Sequence, residues 1–371
     1  MIEKGKISSF QMGIIMYVTV LATAILVLPS AAGKSAKQDL WLSPIWASLI
    51  GFLSSWIFIK LNKLYPRENI IQYSEHIIGK FAGKALGCIY LFLILFENGL
   101  VIRDYAEFII ISFLPKTPLY VMFSSIVLVS ALTVYGGIEV LARATQIFFP
   151  IFTLPFLLLI VLLLPDMEFH NILPIMGNGV LPSIRGAIDV QSWLGDFFYI
   201  SFLLPFLQDR ENRSKWGMFS VTAIVLTMVI TNLIAIFVFG GITQNYIYPL
   251  LNLVKYISIA SFFEHIEALI MALWVIGIFV KVSVIYYALA LGTAQWINVY
   301  DYKPFVLPLG FLQVLFGFWV ASNFQELASF LSKSSIFFFF SMQIVLPLFL
   351  LLIAFMKRKL GDKDLTHSNI R

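Results

Sequence analysis

The sequence predicts an all-α integral membrane protein. It has ten transmembrane helices in a 5+5 inverted repeat, with helices 1 and 6 broken. Three observations predict this: the composition, the spacing of apolar runs, and a layout that recurs halfway along the chain. Of the 371 residues, 60% are hydrophobic and only 12% are charged, against about 25% charged in a soluble domain. A soluble fold would have no interior for 36 phenylalanines.

Windows of ~20 residues place the spans at 10–30, 42–62, 85–114, 118–135, 146–164, 183–208, 217–241, 260–296, 304–320 and 334–356. The chain is expected to form one polytopic domain, 1–371, with halves at 10–164 and 183–356. The N-terminal MIEKGKISSF and its apolar sequel look like a signal peptide. The run from Gln11 to Ser30 is longer than an h-region, however, and further spans follow, so it is expected to stay as the first helix.

An even number of spans puts both termini on one side. Of the 25 Lys and Arg, 17 fall in the tails and in the connections on that side, 6 on the other, and Arg103 and Lys281 lie inside spans. The positive-inside rule therefore places both termini in the cytoplasm. The basic KRKLGDKD tail is an ordinary anchor. Nothing in the charge pattern points to nucleic acid. The single cysteine, Cys88, excludes an intrachain disulfide and is expected to pack. His76, His170, His265 and His367 are scattered without metal-ligand spacing.

Spans 2 and 7 begin near 42 and 217, and spans 3 and 8 near 85 and 260, offsets of 175 in each case. Pro29 and Pro205 lie 176 apart. Five spans per half is odd, so the halves must be inverted, as in transporters built from inverted repeats. In such folds the first helix of each half breaks at the midplane and frees backbone groups for ligand. Span 1 carries LATAILVLPS, with Ala22, Thr23 and Ala24 ahead of Pro29. Span 6 carries DVQSWLGDFFYISFLLP, with Ser192, Gly195 and Asp196 ahead of Pro205. Proline removes a donor and glycine loosens the helix.

Span 3 contains FENGLVIRDYAEF, with Glu97, Arg103, Asp104 and Glu107 in an apolar run. Each charge costs roughly 2.5–3.5 kcal/mol on insertion scales, so the stripe must face protein or water. Glu97 and Asp104, seven residues apart, share one face, and Arg103 can pair with Glu107 at i, i+4. Glu97 lies about 18 Å along the helix from residue 85, near mid-bilayer, and is the candidate proton-linked site. Asn98 is beside it. Span 8 repeats the theme with Glu264, His265 and Glu267 near its outer end and Lys281 deep inside. Lys281 needs a partner, either carbonyls freed in span 1 or Asp196. Ser283 and Tyr287, four apart, present two hydroxyls on one face.

Other classes fit less well. Gly195-Asp196-Phe197 is similar to the Gly-x-Gly-Asp signature of intramembrane aspartyl proteases, but Trp193 replaces the first glycine, and no Tyr-Asp dipeptide occurs in an earlier span. No Gly-x-Ser-x-Gly, Walker loop or HExxH occurs, so no enzyme is expected. A channel ring needs oligomeric symmetry, which an asymmetric two-half chain does not provide.

AKQDLW (36–41), LPIMGNGVLP (173–182), YPLLNLVKYISI (248–259), FFEHIEALIMALWVIGIFVKVSVIYYA (262–288) and YKPFVLPLGF (302–311) together resemble the B subunit of nutrient germinant receptors of bacterial endospores. That group is similar to permeases of the amino acid/polyamine/organocation (APC) superfamily. The resemblance implies a LeuT-like fold in the spore inner membrane, no cofactor, and a complex with a membrane-anchored A subunit and a lipoprotein C subunit. It implies a small germinant, commonly an amino acid. Carried over by position, the family's pocket falls on Ala22 and its neighbours, the middle of span 3, the break of span 6, and Ser283 with Tyr287. The chain departs from the pattern at His265, where the resemblance sets arginine, at Ala22, where some members have glycine, and at Asp196, in place of glutamate.

The expected ligand is therefore a small zwitterion at mid-bilayer. Its carboxylate would meet amides freed in span 1. Its amine would meet Glu97 or carbonyls of span 6. The alternative is an amino acid/proton symporter, with Glu97 or Asp196 carrying the proton.

Overall fold

The computed structural model describes residues 3–257, 267–332 and 334–368. Among these the chain is helical throughout, apart from turns, connecting segments and one isolated β-bridge between Ile7 and Leu207. Helix α1 spans Ser9–Ala36, and a capping box between Ser8 and Gln11 starts it. A 3-10 turn, Lys37–Leu42, leads into α2, Ser43–Leu64. The short α3, Ile70–Ile78, is capped by the Asn69 side chain and precedes the long α4, Lys80–Ser112. Then come α5, Leu119–Gly136, and α6, Ile138–Leu163.

The second half opens with α7, Leu181–Gly195, which gives way to a 3-10 turn, Asp196–Tyr199, and one turn of α8, Ile200–Leu203. Helix α9 spans Arg213–Phe239, and a 3-10 segment, Gly240–Asn245, links it to α10, Pro249–Tyr256. Helix α11, Glu267–Trp296, crosses the centre. Helices α12, Lys303–Trp319, and α13, Phe324–Ser332, meet at 94°. The chain ends with α14, Ser334–Phe340, a π-helical turn, Ser341–Val345, and α15, Leu346–Ser368.

Burial separates central helices from lipid-facing ones. The best membrane window of Ser9–Leu64 is 89% buried and that of Met271–Trp296 is 83%, against 22% for Ile138–Asp166. Hydrocarbon solvates an apolar helix as well as protein does, so α6 can stand at the rim. Helix α1 packs against α6, α7, α9 and α11, which makes it the axis of the bundle.

Seven stretches of the described residues are long and apolar enough to cross a membrane, and α12 with α13 would be an eighth. One of the seven joins α1 and α2 into 56 residues, about 84 Å of helix and more than one crossing needs. The spans expected at 183–208 and 304–320 do not qualify alone. The first is interrupted and polar, and the second has 17 residues. A start of span 8 at 260 falls outside the described residues.

Span 6 changes hydrogen-bonding pattern at the expected place, Gly195–Asp196. Span 1 does not, since α1 is helical from Ser9 to Ala36 with Pro29 inside it. The small residues of span 1 serve close packing instead. A Cβ on Gly277 of α11 would lie 3.2 Å from the Ala22 Cα. Ala22 and Ala24 are fully buried there, and the backbone needs no opening to accommodate the neighbour.

At the N-terminal end of α1 the chain straps its own bundle. The Ile7 amide donates to the Phe206 carbonyl and the Ile7 carbonyl accepts from the Gln208 amide, and the Ser9 amide donates to Asp209 Oδ1 at 2.6 Å. Glu3 accepts from the Ile138 amide at 3.2 Å and from the Tyr302 hydroxyl at 3.1 Å. Burial, and then the charge of Glu3, raises the Tyr302 pKa above its ordinary value, so the phenol remains a donor. Gly137, at φ +90°, makes the α5–α6 turn, and a Cβ there would meet Glu3 Oε2 at 2.9 Å.

Candidate functional site

A cavity of about 710 Å³ opens toward the C-terminal end of α1. It follows α1 from Thr23 to Ser35, about 18 Å of helix, and its deep end lies near the middle of the bundle. Helices α4, α7, α11, α13 and α14 and the segment around residues 244–248 complete the wall.

The deep end is built by Glu97, Asp196 and Lys281. The Lys281 ammonium donates to Asp196 Oδ2 at 2.7 Å and to Thr23 Oγ1 at 3.0 Å. Asp196 sits where the helix tightens to 3-10 after Gly195. Glu97, on α4, accepts from the Tyr199 hydroxyl at 2.7 Å and from Gln343 Nε2 at 3.0 Å, both on Oε2. Tyr199 follows Asp196 by three residues in the same turn, so one turn serves both charged positions. Gln343 comes from the π turn of the last span, where an extra residue per turn re-aims a side chain. All three charged residues are 4–5% exposed. Charges so deep persist only when paired or hydrogen-bonded, and each of these is.

Of the residues expected from sequence, the structure brings Thr23, Glu97, Asp104, Ser192, Asp196 and Lys281 to the cavity wall. It places others elsewhere. Ala22 and Ala24 are in the packed core. Asn98 donates to Gln313 Oε1 of α12 at 2.6 Å. Gly195 lies under Gln343, and a Cβ on it would be only 2.5 Å from Gln343 Oε1. Ser283 and Tyr287 are buried on α11 beyond Lys281, and the Tyr287 ring meets that of Tyr302 at 5.9 Å, toward the strapped end. Arg103 and Glu107 pair at 2.7 Å, and Arg103 also donates to the Ser322 carbonyl at 3.4 Å. Glu264 and His265 lie outside the described residues, as does the side chain of Glu267, the first residue of α11.

Sequence reasoning missed Tyr199, Gln343, Tyr248, Asp189 and Lys34 as cavity or charge-holding residues. Tyr199 carried a signal, its i, i+3 spacing from Asp196. Gln343 carried a weaker one, a lone amide within the last apolar run. Among the described residues no group of three His, Cys, Asp or Glu could hold a metal ion. The site can therefore neutralise and orient a small polar molecule with carboxyl, ammonium and hydroxyl groups.

Comparison with known proteins agrees with this geometry. The family model described as "Spore germination protein" matches residues 6–326. Spore germination protein KB of Bacillus subtilis (strain 168) is 25% identical over 368 residues, covering 98% of each chain. Spore germination protein YndE of the same organism is 26% identical over 319 residues, covering 84% of this chain and 86% of its own. Among solved structures, a nucleobase-cation-symport-1 family transporter with bromovinylhydantoin bound superposes with a TM-score of 0.66 at 14% identity, over 92% of this chain and 78% of the other. A Na+-coupled sialic acid symporter gives 0.63 at 12%, over 92% and 80%. The fold is thus the LeuT-like fold of these transporters.

Proposed function

The chain belongs to the spore germination protein family, and from that premise we propose that it is the nutrient-sensing membrane subunit of a spore germinant receptor. A small amino acid or similar germinant binds in the cavity at mid-membrane. The observation that carries this reading is the deep end of the cavity, where Glu97, Asp196, Lys281 and Thr23 converge. A zwitterion needs both signs of charge within a few ångströms of each other, away from bulk water, and these residues supply them.

The amine faces Glu97 and Asp196, which lie within reach of each other. The carboxylate faces Lys281 and Thr23. Amides freed in span 1 have no part, because α1 keeps its hydrogen bonds. The two halves, 10–164 and 183–356, act as inverted repeats, and binding shifts the population between packings of one half against the other. A and C receptor subunits read that shift. The chain sits in the spore inner membrane with both termini toward the core, and it catalyses no chemical step.

A second reading is favoured by the fold, because the superposed structures are a nucleobase-cation-symport-1 family transporter and a Na+-coupled symporter. In it the chain is an amino acid/proton symporter, with Glu97 or Asp196 carrying the proton. The two readings separate in proteoliposomes containing the chain alone. Saturable binding of a labelled amino acid without accumulation supports the sensor, and uptake driven by an imposed pH gradient supports the symporter. Absence of any amino acid binding, together with normal germination of spores carrying Glu97→Gln, would remove the cavity from the account.

A further inference from the structure

The charges around the cavity do not cancel. Lys281 is held by Asp196 and Arg103 by Glu107, each at 2.7 Å. Lys34 stands near Asp189 at the mouth. Glu97 and Asp104 remain, and among the described residues neither has an ion pair of its own. Seven residues apart on α4, they look into the cavity from one face of the helix, about 10 Å apart along its axis.

Each of the two carboxyls has an independent sign of an absent partner. Both donors to Glu97 land on Oε2, and its carboxyl also stands within hydrogen-bonding reach of the Asp196 carboxyl, two acceptors that a bound ammonium would reconcile. Near Asp104, Tyr248 lines the cavity, is only 5% exposed, and its hydroxyl has no hydrogen-bond partner among the described residues. Tyr248 is close enough to Asp104 to feel its charge. A buried hydroxyl is costly to leave unpaired, and this one belongs to a residue of the same cavity wall as Asp104. Helices α13 and α14 give the same cavity an apolar wall that includes Leu327, Leu331 and Phe339.

We infer that the cavity has two amine positions, one at Glu97 and one at Asp104 with Tyr248, and that it takes an elongated basic amino acid of the lysine type. The inference rests on the reading of this cavity as an amino acid site. An extended lysine separates its nitrogens by about 7 Å from ordinary bond lengths. A charge-assisted hydrogen bond of about 2.8 Å at either end lets it reach both carboxyls with room to bend. Its methylenes lie along the apolar wall. A ligand with one amine leaves the half-buried Asp104 unpaired, which is unfavourable.

Binding to the full-length chain in lipid nanodiscs tests this, with L-lysine, L-norleucine and cadaverine as probes. Norleucine keeps the backbone of lysine and its four side-chain carbons but lacks the second amine. Lysine is expected to bind about tenfold tighter than norleucine, the effect of one charge-assisted contact. Asp104→Asn should abolish that advantage while norleucine binds at least as tightly as to the parent chain, which also shows that the variant is folded. Tyr248→Phe should reduce lysine binding a few-fold, again sparing norleucine. Cadaverine, with two amines and no carboxylate, should compete with lysine in the parent chain and not in Asp104→Asn. Equal affinities for lysine and norleucine, or an Asp104→Asn change that weakens both alike, would overturn the second amine position and leave the amino acid site standing. Failure of all three probes would overturn both.

Discussion

At the N-terminal end of α1 the chain crosses its own bundle and ties itself down, whereas at the C-terminal end the helices stand apart around the cavity. The strapped end is held by backbone hydrogen bonds between residues 7 and 206–208, with Glu3 bridging the α5–α6 turn and Tyr302. The open end is held through side chains, the Lys281–Asp196 pair, the donors to Glu97 and the Arg103–Glu107 pair, with Arg103 reaching one backbone carbonyl at Ser322. Backbone pairing is insensitive to ligand charge, and ion pairs are not. The difference teaches which end a charged ligand can act upon. A ligand shifts an equilibrium only by its differential affinity for the two states, and here the exchangeable contacts are at the open end.

The largest expected effect comes from removing the charge at the deep end of the cavity. Lys281→Met leaves Asp196 buried and unpaired, which costs about 3–5 kcal/mol. The thermal unfolding midpoint in detergent should fall steeply, and the double variant Lys281→Met with Asp196→Asn should recover much of it. If the single and double variants melt together, the pair does not hold the open end and the contrast between the two ends fails. Next is the strap. Glu3→Ala strands the Ile138 amide and leaves the Tyr302 hydroxyl with the Val134 carbonyl alone, a cost of about 1–3 kcal/mol. The expected readout is access. A cysteine at Ser283, 1% exposed, placed in a Cys88→Ser background, should react with an impermeant maleimide from the strapped side only when Glu3 is replaced. Labelling in both backgrounds would mean that the end is not closed by this residue.

Gly195→Ala sharpens the comparison from inside the cavity. Its Cβ would lie 2.5 Å from Gln343 Oε1, so the amide must move and Glu97 loses a donor. Overpacking of this kind costs about 1–2 kcal/mol. Ligand affinity should drop by a comparable factor, while maleimide access at the strapped end stays unchanged. A change at both ends would show that the two are one cooperative unit.

These contrasts also mark what could be read from residues alone. The all-α membrane class followed from composition, and the Arg103–Glu107 pair and the shared face of Glu97 and Asp104 followed from helical periodicity, which is local. Lys281 announced its need for a partner, and Asp196 stood among the candidates, because a deep unpaired ammonium is untenable. The donors to Glu97 were not legible. Gln343 is 246 residues away in sequence and is aimed by a π turn that no periodic pattern encodes. The unbroken course of α1 was hidden for a related reason, since small residues ahead of a proline suit both a break and a close crossing, and only Gly277 on a distant helix decides between them. The strap at Glu3 was likewise out of reach, because a tail residue gives no sign of which turn it will cap.

The smallest expected effect is at Arg103, and it tests how the open end is framed. Arg103 donates Nε to Glu107 Oε1 at 2.9 Å and its guanidinium also reaches the Ser322 carbonyl at 3.4 Å. Ser322 lies in the bend between α12 and α13, and α13 forms part of the apolar wall. Arg103→Lys keeps the charge and the pairing with Glu107 but gives up the planar fork that serves two acceptors at once. The carbonyl contact is long and is worth about 0.5–1 kcal/mol, so the unfolding midpoint should barely move. What should change is the edge of the cavity. A cysteine at Leu327, fully buried on α13, should become a few-fold more reactive in Arg103→Lys than in the parent, and the strapped end should not respond. If reactivity at Leu327 is the same in both, α13 is positioned by its own packing, and the open end is framed by apolar contact with the ion pair as a bystander.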